Sequence, residues 1–287
     1  MSSSPGTLPL GTSIVVPTRA RPRYLEVTLA SILPQARDLA TEVLVIADGP
    51  DPTVAEIAAR HGTRLLTLPA TRGLNAARNA AFAATDTPLL AFVDDDVEAP
   101  HGWLEALLAG AASTPDRDVF GGPIRPRLEG CAPRSCGREM APITALDLGS
   151  QDRDVQFVWG ANMAIRRRAY ERVGAFDETI SVRGDEEEWQ RRYAALGGKV
   201  RYLARAGLYH RRAPEDSNLR ALTQAAYVHG RAARRYDQRK GTAPAIHREL
   251  RTLAGCAWHT ARRRCAFGIV FGAHTAGRLR EAVAGSR

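Results

Sequence analysis

The sequence predicts an α/β protein with a mostly parallel central sheet, followed by a basic helical extension. Short apolar, β-branched runs recur along the first two thirds of the chain, and segments of helical period alternate with them. Beyond about residue 212 the strand signals stop and the pattern becomes helical and Arg-rich. With 287 residues, 44% hydrophobic and 25% charged, the chain has ordinary globular composition, which excludes disorder, collagen or coiled coil over its whole length. No run reaches the roughly 20 apolar residues that span a bilayer. Residues 1–11 are rich in Ser, Pro and Gly with no apolar centre, which predicts a flexible tail rather than a signal peptide.

Each element has its own signal. Residues 12–16 form a buried strand that Pro17 stops, and a helix with Tyr24, Leu25, Thr28, Leu29 and Ile32 on one face follows, closed by Pro34. Glu42 to Ala47 is a second strand, ended by the turn Asp48-Gly49-Pro50-Asp51. Val54 to Arg60 is helical with Gly62 as its stop, and Arg64 to Leu68 is a third strand. An Ala-rich helix covers 74–84, a fourth strand 89–93, and Pro100 opens a helix running to about Ala112. Residues 123–153 lack a period and predict a loop or lid. Val155 to Ile165 predicts a strand, Glu186 to Leu196 a helix and Lys199 to Tyr209 a final strand. Helices continue from Leu219, with breaks at Gly241 to Pro244 and around Gly268 to Gly272.

The net charge of +9 is unevenly placed. Residues 211–287 hold 16 Arg or Lys against 5 Asp or Glu, and the rest of the chain holds 24 against 26. Such a segment suits phosphates or an anionic surface, although Arg in place of Lys also follows from a GC-rich coding sequence.

In an open parallel sheet, ligands bind beyond the carboxyl ends of the strands. Three polar clusters stand there: Pro17-Thr18-Arg19, Asp48-Gly49 and Asp94-Asp95-Asp96. Three adjacent carboxylates repel one another unless a cation compensates them, and Mg2+ or Mn2+ takes such oxygen ligands beside substrate phosphates. The plain alternative is a solvated acidic turn. A second cluster, Asp185-Glu186-Glu187-Glu188, exceeds what a helix start requires, and one member can act as a general base. His210 ends the last predicted strand; a lone histidine there is either structural or a ligand.

Together these pieces resemble glycosyltransferase family 2, the inverting sugar transferases of GT-A fold (Rossmann-like, with helices flanking the sheet). The pieces are Ile-Val-Val-Pro-Thr-Arg at 14–19, Ile-Ala-Asp-Gly at 46–49, Thr-Arg-Gly-Leu-Asn-Ala-Ala-Arg-Asn at 71–79 and Phe-Val-Asp-Asp-Asp-Val at 92–97. Gly-Ala-Asn-Met-Ala at 160–164, Gly-Ala-Phe-Asp-Glu at 174–178 and Gly-Asp-Glu-Glu-Glu-Trp at 184–189 complete the order. The resemblance covers about 12–212 and implies a catalytic domain there, with a nucleotide-binding half at 12–122 and an acceptor half at 123–212. Residues 213–287 form the basic helical region outside it.

The resemblance implies roles residue by residue. Pro17, Thr18 and Arg19 lie against the nucleotide, and Asp48 accepts a hydrogen bond from its base. Arg72 and Gly73 flank the nucleotide, while Arg78 and Asn79 are partly structural. Asp94 and Asp96 match the Asp-x-Asp that holds ribose and metal; Asp95 adds charge on the donor side. His210 is a further metal ligand. Glu186 takes the position of the catalytic base with the first two acids of the motif exchanged, so Asp185 is its rival. Trp159, Gly160, Asn162, Glu187 and Trp189 fall on the sugar and acceptor side.

The implied reaction is metal-dependent, inverting transfer from a nucleotide-diphosphate sugar, of UDP or dTDP type, to an acceptor hydroxyl. A divalent metal, Mn2+ or Mg2+, is the implied cofactor. No nucleic acid partner is expected, an anionic membrane surface is a candidate partner, and the expected location is cytoplasmic or peripheral at the membrane. Two other readings compete. A sugar nucleotidyltransferase wants a Gly-rich phosphate loop where this chain has Pro17-Thr18-Arg19-Ala20, and a binding module would leave the acids vestigial. Cys131-x4-Cys136 and the later Cys256 and Cys265 lack C-x2-C spacing, so no zinc site is expected.

Overall fold

The computed structural model describes residues 11–130, 133–138, 140, 142–180 and 184–284. The expected tail over 1–10 and Cys131 lie outside the described residues. The chain divides into two compact units. Residues through Arg125, with Leu146–Glu178 and Asp185–His210, form the first; Pro126–Ala145, Thr179–Gly184 and the chain from Arg211 form the second.

The first unit is built on an eight-stranded sheet. Strands β1 (Thr12–Thr18), β2 (Glu42–Ala47), β3 (Arg64–Thr67) and β4 (Leu89–Val93) alternate with helices α1 (Pro22–Asp38), α2 (Pro52–His61) and α3 (Leu74–Ala84). The short β5 (Val97–Glu98) and helix α4 (Trp103–Ser113) follow. Then come β6 (Val119–Gly121), β7 (Ile124–Leu128), β8 (Arg153–Val155), β9 (Asn162–Arg166), α5 (Arg167–Val173), α6 (Asp185–Ala195), β10 (Val200–Tyr202) and β11 (Leu208–Arg212). The sheet order is β3-β2-β1-β4-β9-β6-β10-β8, and a second sheet runs β5-β11-β7. Pairing among β1 to β4 is parallel, as is β6 with β10, while β9 runs antiparallel between β4 and β6. The central strands β1, β4 and β9 are buried along their whole length, as expected of a sheet covered on both faces.

Several boundaries differ from the sequence reading: the expected loop 123–153 opens with strand β7, which pairs with β11, and four others differ as follows. Pro17 does not stop β1: it pairs with Ile46 of β2, at a level where the pairing with β4, which reaches only Val15, has ended. Pro34 does not close α1 but lies inside it, on the exposed side, where the carbonyl of the exposed Ala30 that it leaves unbonded meets water. The expected strand 155–165 is split into β8 and β9, because Gln190 takes both the N–H and the C=O of Val158 and removes that residue from the ladder. The expected strand 199–209 is likewise two strands in different sheets, turned at Leu203–Ala206.

The second unit contains α7 (Pro214–Ser217), α8 (Leu219–Arg239), α9 (Ile246–Arg263) and α10 (Ala266–Ala284). Glycines 268 and 272 are not a break; they lie inside α10. A Cβ on Gly268 would fall 2.2 Å from Thr260 Oγ1, and one on Gly277 would fall 2.1 Å from the Tyr227 carbonyl oxygen. Small residues here let α10 lie close against α9 and α8. Most of the apolar stretch 265–273 is therefore packed within this unit, with Val270 in a cluster with Met140, Leu222 and Ala226. Among the described residues no helix is long and apolar enough to cross a membrane.

Candidate active site

Parallel pairing puts the carboxyl ends of β1, β2 and β4 on one edge of the sheet. Thr18, Asp48 and Asp94 therefore emerge side by side, and the Asp48 amide donates to the Thr18 carbonyl at 2.9 Å. The antiparallel β9 begins at this edge, with Asn162 opposite Val93, which adds the turn 159–161. The short β5 pairs with β11 so that His210 stands opposite Val97, one residue beyond the acidic triplet.

Asp94, Asp96 and His210 converge. His210 Nε2 lies 3.1 Å from Asp96 Oδ1 and 3.8 Å from Asp94 Oδ2, and one ligand atom from each of the three lies within 4.8 Å of the others. Asp96 Oδ1 is buried and accepts no hydrogen bond, while its other oxygen meets Arg21 at 2.8 Å. A buried carboxylate oxygen facing only an imidazole nitrogen is costly unless a cation, or a proton between the two, joins them. Two carboxylates and an imidazole fit a divalent ion, and the nitrogen ligand suits Mn2+ better than Mg2+, which prefers oxygen.

Asp95 points the other way. Its carboxylate accepts from Thr18 Oγ1 at 2.7 Å and Arg21 Nη1 at 2.9 Å, and its carbonyl oxygen accepts from Thr28. Burial outweighs these contacts and pushes its carboxyl up to about 7. Asp95 and Thr18, read as donor-binding, are thus committed to each other, fastening β1 and α1 to the acidic turn. Arg19 is exposed at the edge, Pro17 is buried in β1, and Arg21, which no motif marked, neutralises two of the three acids.

The Asp48 carboxylate accepts from the backbone amides of Arg72 at 2.7 Å and Gly73 at 3.0 Å, just before α3. Gly73 holds a positive φ of 96°, which a residue with a Cβ rarely adopts. Asp48 therefore shapes the 72–73 turn. Arg72 is exposed and meets Glu178 at 2.5 Å, and Asn79 also donates to Glu178.

Across the edge sits a buried electrostatic knot. Arg78 on α3 donates to Asp185 Oδ2 at 2.6 Å and to Asn75 at 3.0 Å, and its Nε is buried without a partner. Its charge acts on Asp185, Glu186 and Asp94. Gly160 allows the close approach: a Cβ there would fall 2.0 Å from the Arg78 guanidinium. Asp185 and Glu186 interact directly. Burial pushes the Asp185 carboxyl up, but the Arg78 charge together with hydrogen bonds from Glu186, Arg78 and the backbone holds it below its ordinary range. Burial, then the Asp185 charge, raise Glu186 well above its own. Of the two, Glu186 holds a proton more readily; it is partly buried and faces the Gly160 amide at 3.5 Å.

The expected acceptor-side residues divide. Trp159 is partly buried against the core, and Gly160 touches Arg78 as described. Asn162 is buried with its amide used by Pro123, Ala206 and Trp103, so it braces the sheet rather than facing a ligand. Trp189 is fully buried in a stack with Phe176 and Tyr193, its indole N–H donating to Gly174, and it too serves the core. Glu187 pairs with Arg191 one turn along α6.

The fold and the family both have known relatives. The model of glycosyl transferase family 2 matches residues 13–174, more than half of the chain. A pre-mycofactocin glycosyltransferase from Mycobacterium tuberculosis is 31% identical over 199 residues, covering 66% of this chain and 40% of that protein. The chain thus spans well under half the length of that relative. A glucosyl-dolichyl phosphate glucuronosyltransferase from Haloferax volcanii is 24% identical over 215 residues, covering 69% of this chain and 68% of that protein. Two solved structures share the fold at a TM-score of 0.57 and 16% identity. One is GalNAc-T7 with UDP, GalNAc and Mn2+, covering 76% of this chain and 47% of that one. The other is a mannosyltransferase from Pyrobaculum calidifontis with GDP-Man and Mn2+, covering 96% of this chain and 73% of that one. A family match over more than half of the chain, on a GT-A fold, places this chain in glycosyltransferase family 2.

Proposed function

We propose that the protein transfers a sugar from a nucleotide-diphosphate donor to an acceptor hydroxyl, with inversion and with a divalent metal. One observation supports this reading most. A ligand trio, Asp94, Asp96 and His210, and an acid pair, Asp185 and Glu186, flank Arg78 at one sheet edge. The trio would hold Mn2+ on the donor diphosphate, and that ion supplies charge against the negative leaving group.

The chain's own residues do the rest. Asp48 and the 72–73 turn form the wall on the nucleotide side, and UDP or dTDP is the donor type we favour. Arg78 keeps Asp185 ionised and oriented. Glu186, half exposed beside Gly160, takes the acceptor proton as general base once it has lost its own. Asp185 is its positioning partner, because its carboxylate is already bound to a buried guanidinium. Attack from the Glu186 side, opposite the leaving diphosphate, inverts the anomeric centre. A screen of UDP-, dTDP- and GDP-sugars for hydrolysis with and without Mn2+, followed by the anomeric configuration of the product, tests the proposal. No Mn2+-stimulated turnover of any donor, or a retained configuration, overturns it.

A cytoplasmic enzyme working beside the membrane is the location we favour. The solvent side of α9 exposes Ile246, Leu250 and Trp258, with Arg251 and Arg262 beside Trp258. Apolar side chains between arginines suit the headgroup layer of an anionic bilayer. The Haloferax relative, named for a dolichyl phosphate acceptor, is compatible with a lipid-linked substrate.

A further inference from the structure

Cysteine spacing along the chain argues against a zinc site, yet the fold brings two cysteines and a histidine together from distant positions. Cys136 lies in the segment after β7, His259 near the end of α9, and Cys265 between α9 and α10. One ligand atom from each falls within 4.8 Å of the other two. We propose that Cys136, His259 and Cys265 bind a Zn2+ ion within the second unit, fastening its long segment to the turn between its last two helices.

The distances suit the ion. With Zn–S about 2.3 Å and Zn–N about 2.0–2.1 Å, a tetrahedral site separates sulfur from nitrogen by about 3.6 Å. Cys136 Sγ and His259 Nε2 are 3.6 Å apart. Two thiolates and a neutral imidazole also balance the charge of Zn2+, and soft sulfur ligands select it over Mn2+ or Mg2+. The fourth position of the tetrahedron is left to a water or another ligand.

The surroundings hold each ligand in place. Arg264 adopts a left-handed conformation, φ 46°, and its amide donates to Thr260 at 2.8 Å, which ends α9 and turns Cys265 back toward His259. Cys265 directly precedes the first residue of α10, which fixes its position at the helix start. The Ala266 amide donates to the Arg134 carbonyl at 2.9 Å, tying the Cys136 segment to this turn. The Cys136 sulfur accepts a backbone hydrogen bond from Arg138. Phe267 meets the His259 ring edge-on at 5.5 Å and is itself covered by the Arg138 guanidinium. Outer contacts that orient ligands in this way are a regular part of metal sites.

The test is metal analysis of the full-length protein, purified with reductant and without chelator. We expect about one zinc per chain. After exchange with Co2+ we expect a thiolate-to-cobalt charge-transfer band and the visible bands of a tetrahedral ion. Cys136→Ser, Cys265→Ser and His259→Ala should each lower zinc affinity at least tenfold, and chelation should lower the melting temperature of the wild type. Asp96→Asn, which alters the oxygen-rich trio, should keep the zinc and the sulfur band, as should Cys256→Ser. Zinc-free protein that takes up Co2+ without a sulfur band overturns the proposal and leaves a thiol–imidazole hydrogen bond. Zinc content unchanged in Cys136→Ser, or lost in Cys256→Ser as readily as in Cys265→Ser, also overturns it.

Discussion

Neutralising the two acids of α6 one at a time separates positioning from proton transfer. Asp185→Asn keeps the shape but leaves Arg78, fully buried, without its anionic partner at 2.6 Å. Removing one member of a buried pair costs about 3–5 kcal/mol. At roughly 2–4 °C per kcal/mol for a chain of this size class, the melting temperature should fall by about 10 °C. Glu186→Gln leaves Arg78 and Asp185 paired, so it should cost little stability. Loss of the base should lower kcat by ~10² to 10⁴, or about 2.7 to 5.4 kcal/mol in the barrier, with donor affinity nearly unchanged.

The pH dependence has a definite sign. Glu186 is raised in the folded state, so folding disfavours its ionisation, and the wild type loses stability as pH rises from the ordinary Glu range through the raised value. Glu186→Gln removes that loss. Asp185 is lowered, so its contribution is present above the ordinary Asp range and disappears as pH falls through the lowered value. The activity of the wild type should fall on acidification through the raised Glu186 value, because the base is then protonated. Thermal melts across pH and single-turnover rates for both variants measure all of this. If Asp185→Asn keeps its melting temperature and loses kcat, while Glu186→Gln keeps its rate, the roles are the reverse of those argued here.

Three further outcomes are expected. Asp96→Asn should abolish the Mn2+ dependence of donor-nucleotide binding measured by calorimetry; unchanged Mn2+-dependent binding would remove Asp96 from the ligand set. Gly160→Ala should lower the melting temperature and activity together, since its methyl group would fall 2.0 Å from the Arg78 guanidinium; an unaffected variant would show that Arg78 has room to shift. Trp258→Glu should weaken co-sedimentation with anionic vesicles at low salt, and absence of pelleting by the wild type would exclude the membrane contact.

The sequence was most legible where local rules act. Alternating strands and helices gave the order through β4, and α3 and β4 have the boundaries that the pattern predicts. The acids at the strand ends were visible because carboxylates seldom gather beside buried apolar runs without reason. The two prolines misled because their cost depends on what surrounds them: Pro17 lies beyond the reach of β4, and Pro34 faces water. Neither fact is local. Glycine was misread in α10 for a related reason, since a residue that weakens an isolated helix is required where another helix presses against it.

Roles within the site were harder to read than membership of it. Asp94, Asp95 and Asp96 are equivalent as letters, but the turn they make sends the middle one to Thr18 while its two neighbours meet His210. Trp189 and Asn162 follow motif residues in sequence and yet face the core, because their polar groups find partners on Gly174, Pro123 and Ala206. Arg78 shows the converse. As a letter it belongs to an ordinary helix pattern, and only its burial beside Gly160 shows that one guanidinium is paired with Asp185 and pulls that acid down while its neighbour Glu186 is raised. The order Asp185-Glu186 then has a consequence for chemistry: the shorter acid reaches the buried arginine and stays charged. The longer one is left partly buried at the sheet edge, its carboxyl raised by burial and by the Asp185 charge, so it is the one of the two that gives up its proton less readily.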